Sequence, residues 1–381
     1  MNKESQKMKI IGIDGNEANV SSRVGSNVFA YELLVAMHRY LQQQPLFQVV
    51  VYLSRPPQPD MPAETDTWHY RIIKHQPLWG VWRLPLDLWL HRRVDLFFSP
   101  GHYLPSISPV PMVSTIMDLA YERFPDYFRT KDRYQLQVLT RWGVKMARHV
   151  FAISEATRQD LISLYKKPAE DITVIYPAVS SLEPLKENVV QHHLKQLGIQ
   201  GPYVLFVGTL QPRKNLDRLI RAFEVLQAQG FSGELVIAGR VGWHAEGTVD
   251  LIRNSVAHTA IHHLGFVDEQ QKRSLLQGAK VLVLPGLYEG FGLPPLEAIQ
   301  LGTLPLVSNV SSLPEVVPIE DLRFDPENVQ DIAQAILRIW ELSESQKQST
   351  LKKLKHASEK FSWDVSAQKV CQRLAQEVEA R

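Results

Sequence analysis

Along almost the whole chain, short apolar runs alternate with stretches whose apolar residues recur at helical spacing. Lys9–Asp14 (KIIGID) predicts a buried strand, Gly15–Asn27 a polar loop, and Val28–Tyr40 a helix. Phe47–Leu53 is the next strand, and Pro56–Pro62, with four prolines, is a loop. Strands follow at Asp95–Phe98, Val113–Met117 and Val150–Ile153, with a helix at about Arg133–Ala147. Strand–helix–strand repeats of this kind predict a parallel sheet covered by helices on both faces.

After Val174–Tyr176 the pattern restarts. A polar connector, Pro177–Gly201, carries a helical piece at Val189–Leu197. Strands are predicted at Tyr203–Val207, Leu235–Ala238, Ala260–Leu264, Val281–Leu284 and Leu304–Val307. Helices are predicted at Asn215–Gln229, Asp268–Gln277 and Pro295–Leu301, and the tail Val329–Glu379 reads as helical throughout. The expected architecture is α/β with two Rossmann-like lobes facing across a cleft. Residues 1–180 form the first domain, 181–360 the second, and 361–381 a C-terminal helix that crosses back to the first. No repeat of 20–50 residues interrupts this picture.

Composition narrows the function. A length of 381 residues suits two domains, and 42 Lys+Arg against 40 Asp+Glu leave only +2, too little for a dedicated nucleic-acid binder. Residues 1–180 hold 21 basic and 17 acidic side chains, a mild preference of the first half for anionic surfaces. The one cysteine, Cys371, excludes an internal disulfide and a Cys-based zinc cluster. Ile10–Ile13 is too short for a signal-peptide core, so the expected location is cytoplasmic. The longest apolar stretch, Leu78–Leu90, is interrupted by Arg83, Pro85 and Asp87 and cannot span a bilayer; with the basic residues that follow it forms Leu78–Arg93 (LWGVWRLPLDLWLHRR). It reads either as a helix packed on the first sheet, which is favoured, or as an aromatic and basic surface for peripheral membrane contact at the inner face.

Two strand-to-helix turns carry candidate chemistry, because open α/β sheets bind ligands at the carboxyl ends of their strands. In Leu284–Glu297 (LPGLYEGFGLPPLE), Gly290 and Gly292 allow close backbone approach, Pro294–Pro295 suit a first helical turn, and the exposed N–H groups favour a phosphate. Glu289 and Glu297 can both face one ligand there. The alternative is an ordinary Gly/Pro-rich turn, with Glu297 a first-turn glutamate. In Gly208–Asn215 (GTLQPRKN), Arg213 and Lys214 can bracket a diphosphate, or can be a solvated basic pair.

Phe206–Leu216 together with Tyr288–Ala298 resembles the retaining nucleotide-sugar glycosyltransferases of family 4, of the GT-B fold, which include many bacterial mannosyl- and glucosyltransferases. The resemblance extends through IGIDGNEAN, RVGSNVFAYEL, FFSPGHYLP, STIMDLAYERFPDYF, FAISEATRQDL and VIYPAV, then LVIAGRVGW, HLGFVDEQQKRSLLQGAKVLVLP and FSWDVSAQKV. It implies transfer of a hexose from a GDP- or UDP-sugar to a glycan, lipid-linked or small-molecule acceptor, as in polysaccharide biosynthesis. Arg213 and Lys214 then hold the donor diphosphate, together with Gly208 and Thr209. Glu289, with the N–H groups of Gly290, Phe291 and Gly292 ahead of Leu293, holds the sugar hydroxyls. Glu297 accepts from the ribose, and Gly25 and Ser26 approach the donor from the other lobe.

One departure stands out. Where the family usually has His-Asp after a front-lobe strand, this chain has Met117–Asp118, and methionine cannot shuttle a proton. His102, in a neighbouring loop, is a substitute candidate on the acceptor side or a surface histidine. A leaving diphosphate oxygen that itself takes the acceptor proton makes the loss survivable. No Asp-x-Asp occurs, and Arg and Lys can neutralise the diphosphate, so no metal or other cofactor is expected. Two alternatives remain at this level: a nucleotide-sugar epimerase or hydrolase on the same fold, and a binding protein that has lost turnover.

Overall fold

The computed structural model describes residues 8–74, 79–101 and 103–380. In the first half, β1 (Ile10–Asp14), α1 (Ser26–Gln43), β2 (Gln48–Leu53), β3 (Trp68–Ile72), α2 (Leu84–His91), β4 (Leu96–Ser99) and β5 (Met112–Ile116) come in order. Then follow α3 (Ala120–Arg123), α4 (Thr130–Met146), β6 (His149–Ala152), α5 (Glu155–Tyr165) and β7 (Ile172–Val174). The seven strands form one parallel sheet in the order β3-β2-β1-β4-β5-β6-β7.

The second half builds α6 (Glu187–Gln196), β8 (Tyr203–Val207), α7 (Leu216–Ala228), β9 (Glu234–Ala238), α8 (Glu246–Asn254), β10 (Ile261–Gly265) and α9 (Glu269–Gly278). It continues through β11 (Val281–Leu284), α10 (Leu293–Gln300), β12 (Leu304–Ser308), α11 (Leu313–Val316), β13 (Arg323–Phe324), α12 (Val329–Trp340), α13 (Glu344–Ser358) and α14 (Trp363–Glu379). Its six parallel strands run β10-β9-β8-β11-β12-β13. The strand order reverses between β1 and β4 in one sheet and between β8 and β11 in the other, and these switch points are where such sheets open a crevice.

The central strands are apolar runs buried on both faces, as in VLFV of β8 and VLVL of β11. In the second half Val190, Leu194, Tyr203, Leu205, Leu275, Leu282 and Ala298 share one core. The predicted continuous helical tail is instead three helices. Ser343 caps α13 by accepting from the N–H of Gln346, whose side chain accepts from the Ser343 N–H in return, and this reciprocal pair fixes a new start after Trp340.

Contacts divide the described residues into two units. One holds those up to Leu119, Tyr134–Pro177 and those from Phe361 on; the other holds Ala120–Arg133 and Ala178–Lys360. The stretch 120–133 therefore packs with the second half although it lies in the sequence of the first. The last helix, α14, packs on α1. The Trp363 ring meets Phe29 edge-on at 5.5 Å, and Ser366 Oγ donates to the Tyr176 carbonyl at 2.6 Å.

Further along α14, Arg373 pairs with Glu377 at 2.8 Å and donates to His149 Nδ1 at 3.0 Å. A guanidinium only donates, so Nδ1 of His149 accepts and Nε2–H donates to Thr173 Oγ1 at 2.9 Å. Burial, with Arg373 and Lys167 nearby, pushes His149 down to about 3, and it is neutral. Cys371 lies wholly buried on the same helix, and burial raises its thiol well above the ordinary range. Replacing Trp363 with alanine should lower the unfolding free energy of this unit by about 3 kcal/mol. Urea titration followed by circular dichroism measures it, and a loss below about 1 kcal/mol would show that α14 is held elsewhere.

Candidate active site

At the switch point of the second sheet, the loop after β8 is shaped by backbone bonds. Gly208 donates to the Ala238 carbonyl and Leu210 to that of Arg240, both at 2.9 Å, and Gly242 donates back to Leu210 at 2.9 Å. The two loops touch so closely that a Cβ on Gly239 would stand 1.8 Å from the Gly208 oxygen, so no other residue fits there. Pro212–Lys214 then makes one 3₁₀ turn, and Asn215 leaves it in the left-handed region (φ 58°). The buried Asn215 amide donates to the carbonyls of Pro285 (2.9 Å) and Pro326 (2.7 Å), pinning the turn to the loop after β11.

That pin sets Arg213 and Lys214 against Glu289. Lys214 Nζ donates to Glu289 Oε1 at 2.6 Å, and Arg213 Nη1 donates to Oε2 at 3.3 Å and to the Tyr288 carbonyl at 2.9 Å. The Glu289 side chain is 8% exposed. Burial pushes its carboxyl up, but Lys214 and Arg213 outweigh this and hold it below the ordinary glutamate range. Ser311 and Ser312 hydroxyls donate to the Glu289 carbonyl at 2.6 and 2.8 Å, fixing the backbone behind the carboxylate. Gly290 and Phe291 are buried behind it. Gly292 (φ 100°) turns the chain into α10, which opens on Leu293–Pro294–Pro295. Thr209 is exposed at the loop's start.

Glu297 sits on α10 with a partner that sequence reasoning missed. Lys272 of α9 donates to it at 2.9 Å and also reaches Glu269 at 3.0 Å. Burial lowers the ammonium, but the two carboxylates outweigh it and raise its pKa. The two glutamates of the motif are thus each held by cations, Glu289 by two and Glu297 by one. No signal in the sequence ties Lys272, 25 residues upstream, to Glu297.

In the first unit, Gly25 (φ 54°) precedes α1, and Ser26 is its first residue. Ser26 Oγ and Asn27 Nδ2 both donate to Glu17 Oε2, at 3.1 and 2.9 Å. Glu17 lies in the loop after β1, beside Gly101 after β4, and is a second residue not singled out from sequence. Asp14, at the end of β1, has its carboxyl pushed up to about 6 by burial, against two donations from Asn16. Met117 and Asp118 follow β5; Met117 is buried, and its carbonyl accepts from Thr157 Oγ1 at 3.2 Å. The main-chain role of position 117 therefore does not need a histidine. His102 lies outside the described residues. Among the described residues no group of three His, Cys, Asp or Glu side chains is placed to hold a metal ion.

The profile "Glycosyltransferase Family 4" matches residues 25–181, and "Glycosyl transferases group 1" matches residues 191–356. O-antigen chain mannosyltransferase B of Escherichia coli is 29% identical over 361 residues, 89% of this chain and 93% of that protein. Among solved structures, a sucrose-phosphate synthase from Thermosynechococcus elongatus superposes with a TM-score of 0.73 at 18% identity, covering 98% of this chain and 100% of the other. HepE of Anabaena, in complex with UDP-glucose, gives 0.69 at 19% identity over 97% and 100%. At these identities the structures speak for the fold, which is GT-B. The two profiles follow one another along most of the sequence, and the chain belongs to the family 4 and group 1 glycosyltransferases.

Proposed function

We propose that this enzyme moves mannose from a nucleotide diphosphate donor to an acceptor hydroxyl with retention of configuration and without a metal ion. The observation that carries the reading is the Arg213–Lys214–Glu289 cluster at the β8/β11 switch point. Both cations stand at the strand ends where a diphosphate would lie. Mannose is taken from the mannosyltransferase relative, and its nucleotide is the first thing to measure.

In this reading the bond from the anomeric carbon to the diphosphate oxygen breaks first, and its electron pair stays with the diphosphate. Arg213 and Lys214 stabilise that developing charge in place and so act where the transition state differs most from the ground state. The acceptor hydroxyl then bonds to the same face of the sugar and gives its proton to the departing oxygen. Met117, which has no proton to exchange, is compatible with this route. Glu289 is freed from its cations as they turn to the diphosphate and accepts from sugar hydroxyls, while Glu297 accepts from the ribose. The acceptor is a glycan, lipid-linked or small-molecule hydroxyl.

The location we propose is the cytoplasmic face of a membrane. No described helix is long and apolar enough to cross one. The stretch around α2 has a buried side and an exposed side. Leu84 and Leu88 are buried, while Trp82 (68% exposed), Leu86, Trp89 and Leu90 (69%) face out beside Arg83, Arg92 and Arg93. An apolar stripe with basic neighbours suits an anionic lipid surface.

Four measurements test these statements. Calorimetric titration of metal-free protein with UDP, GDP and ADP should find one nucleotide binding at micromolar strength, weakened in Glu297→Ala. Lys214→Ala and Arg213→Ala should each reduce turnover on the order of 10²-fold; near-normal rates would remove their role. For pH, Glu289 has a lowered pKa in the folded protein, so its ion pairs add stability above the ordinary glutamate range and lose it as pH falls through the folded value. The melting-temperature gap between wild type and Glu289→Gln should therefore close only on the acid side, and a pH-independent gap would contradict the ion-pair account. Lastly, vesicles of phosphatidylcholine with phosphatidylglycerol should sediment the protein better than phosphatidylcholine alone, less so in high salt and less so for Trp82→Ser/Trp89→Ser. Equal sedimentation throughout would reject the membrane face.

A further inference from the structure

The stretch Ala120–Arg133 starts two residues after Met117–Asp118, yet packs within the second unit. It does so through aromatic rings. Phe124 and Tyr127 lie stacked, with centroids 5.6 Å apart and planes 9° from parallel. The Phe124 ring meets Tyr288 edge-on at 6.1 Å, Phe128 lies 6.1 Å from Trp243, and Trp243 Nε1 donates to the Tyr127 carbonyl at 2.8 Å.

Both anchors are one step from the donor site. Tyr288 precedes Glu289, and its carbonyl receives Arg213. Trp243 stands in the loop that Gly242 and Arg240 bind to Leu210, at the head of the turn carrying Arg213 and Lys214. One short segment therefore touches the loop that carries Glu289 and the loop that braces the turn of Arg213 and Lys214. Phe124, Phe128 and Trp243 carry no group that can exchange a proton near neutral pH, so their part in the reaction is alignment.

Resting on the transferase reading above, we propose that Phe124, Tyr127 and Trp243 are positioning residues. They form an aromatic clasp that holds the Tyr288–Glu289 loop directly and, through Trp243 and the backbone bonds of its loop to Leu210, the Arg213–Lys214 turn in register for the donor. When the clasp loosens, the donor binds less well, and the activated sugar is lost to water. In that side reaction water replaces the acceptor hydroxyl, giving free hexose and nucleoside diphosphate.

The test uses the full chain and the nucleotide found to bind, with its sugar as donor. Trp243→Phe keeps a ring but loses the N–H, and Phe124→Leu removes the ring. Each should raise the donor KM about fivefold, the effect of one lost hydrogen bond or ring contact. Each should also raise the share of free hexose among products. Phe124→Tyr, which keeps the ring, should restore both values. If the melting temperature falls while KM, nucleotide affinity and the hexose share stay at wild-type values, the clasp is only structural and the proposal is overturned. If wild-type protein binds none of the three nucleotides, the donor site and the clasp fall together; binding with indifferent variants removes the clasp alone.

Discussion

A carboxylate with 8% of its side chain exposed stays ionised only where cations offset its lost hydration, and Glu289 has two within 3.3 Å. The demand propagates outward. Arg213 and Lys214 reach Glu289 only because a single 3₁₀ turn points both at it, and the turn ends in a left-handed Asn215. Asn215 holds that geometry by donating to two carbonyls from separate loops. Behind the carboxylate, Ser311 and Ser312 fix the backbone from a third loop. Removing one cation would leave a buried charge half compensated, so the surrounding loops are constrained as a group. Under the function proposed above, a diphosphate would compete with Glu289 for those cations, because it carries more negative charge.

The same logic separates what could be read in advance from what could not. The central strands were legible because a parallel sheet buries both faces, and runs such as VLVL admit no other reading at that length. The edge strand β3, with the mixed sequence WHYRI and a half-exposed burial pattern, carries no such signal, and β13 is two residues long. The short helices α5 and α8 lie in polar segments where propensity says little. At the site, Arg213, Lys214 and Glu289 stood out because each follows a strand end and lies in a turn of glycine or proline. Lys272 did not, since its partner Glu297 lies on another helix, 25 residues on, and no local pattern links the two.

Position 117 shows how a local departure can leave a fold untouched. What the surrounding structure asks of Met117 is its carbonyl, which receives Thr157, and the bulk of a buried side chain. Thr157 in turn is bound through its N–H to Ser154, the cap of α5. Replacing an imidazole by a thioether therefore leaves the hydrogen bond from Thr157 to the carbonyl in place.

Cys371 has a use that its packing creates. It is the chain's one thiol, wholly buried on α14, with its deprotonation suppressed by burial. An alkylating reagent attacks only the thiolate, so native protein should stay unlabelled until α14 lifts from α1. The labelling rate then serves as a clock on that one helix, read by mass spectrometry without engineering a probe. It would report how often the terminal helix opens, a local stability distinct from that of the sheets it covers.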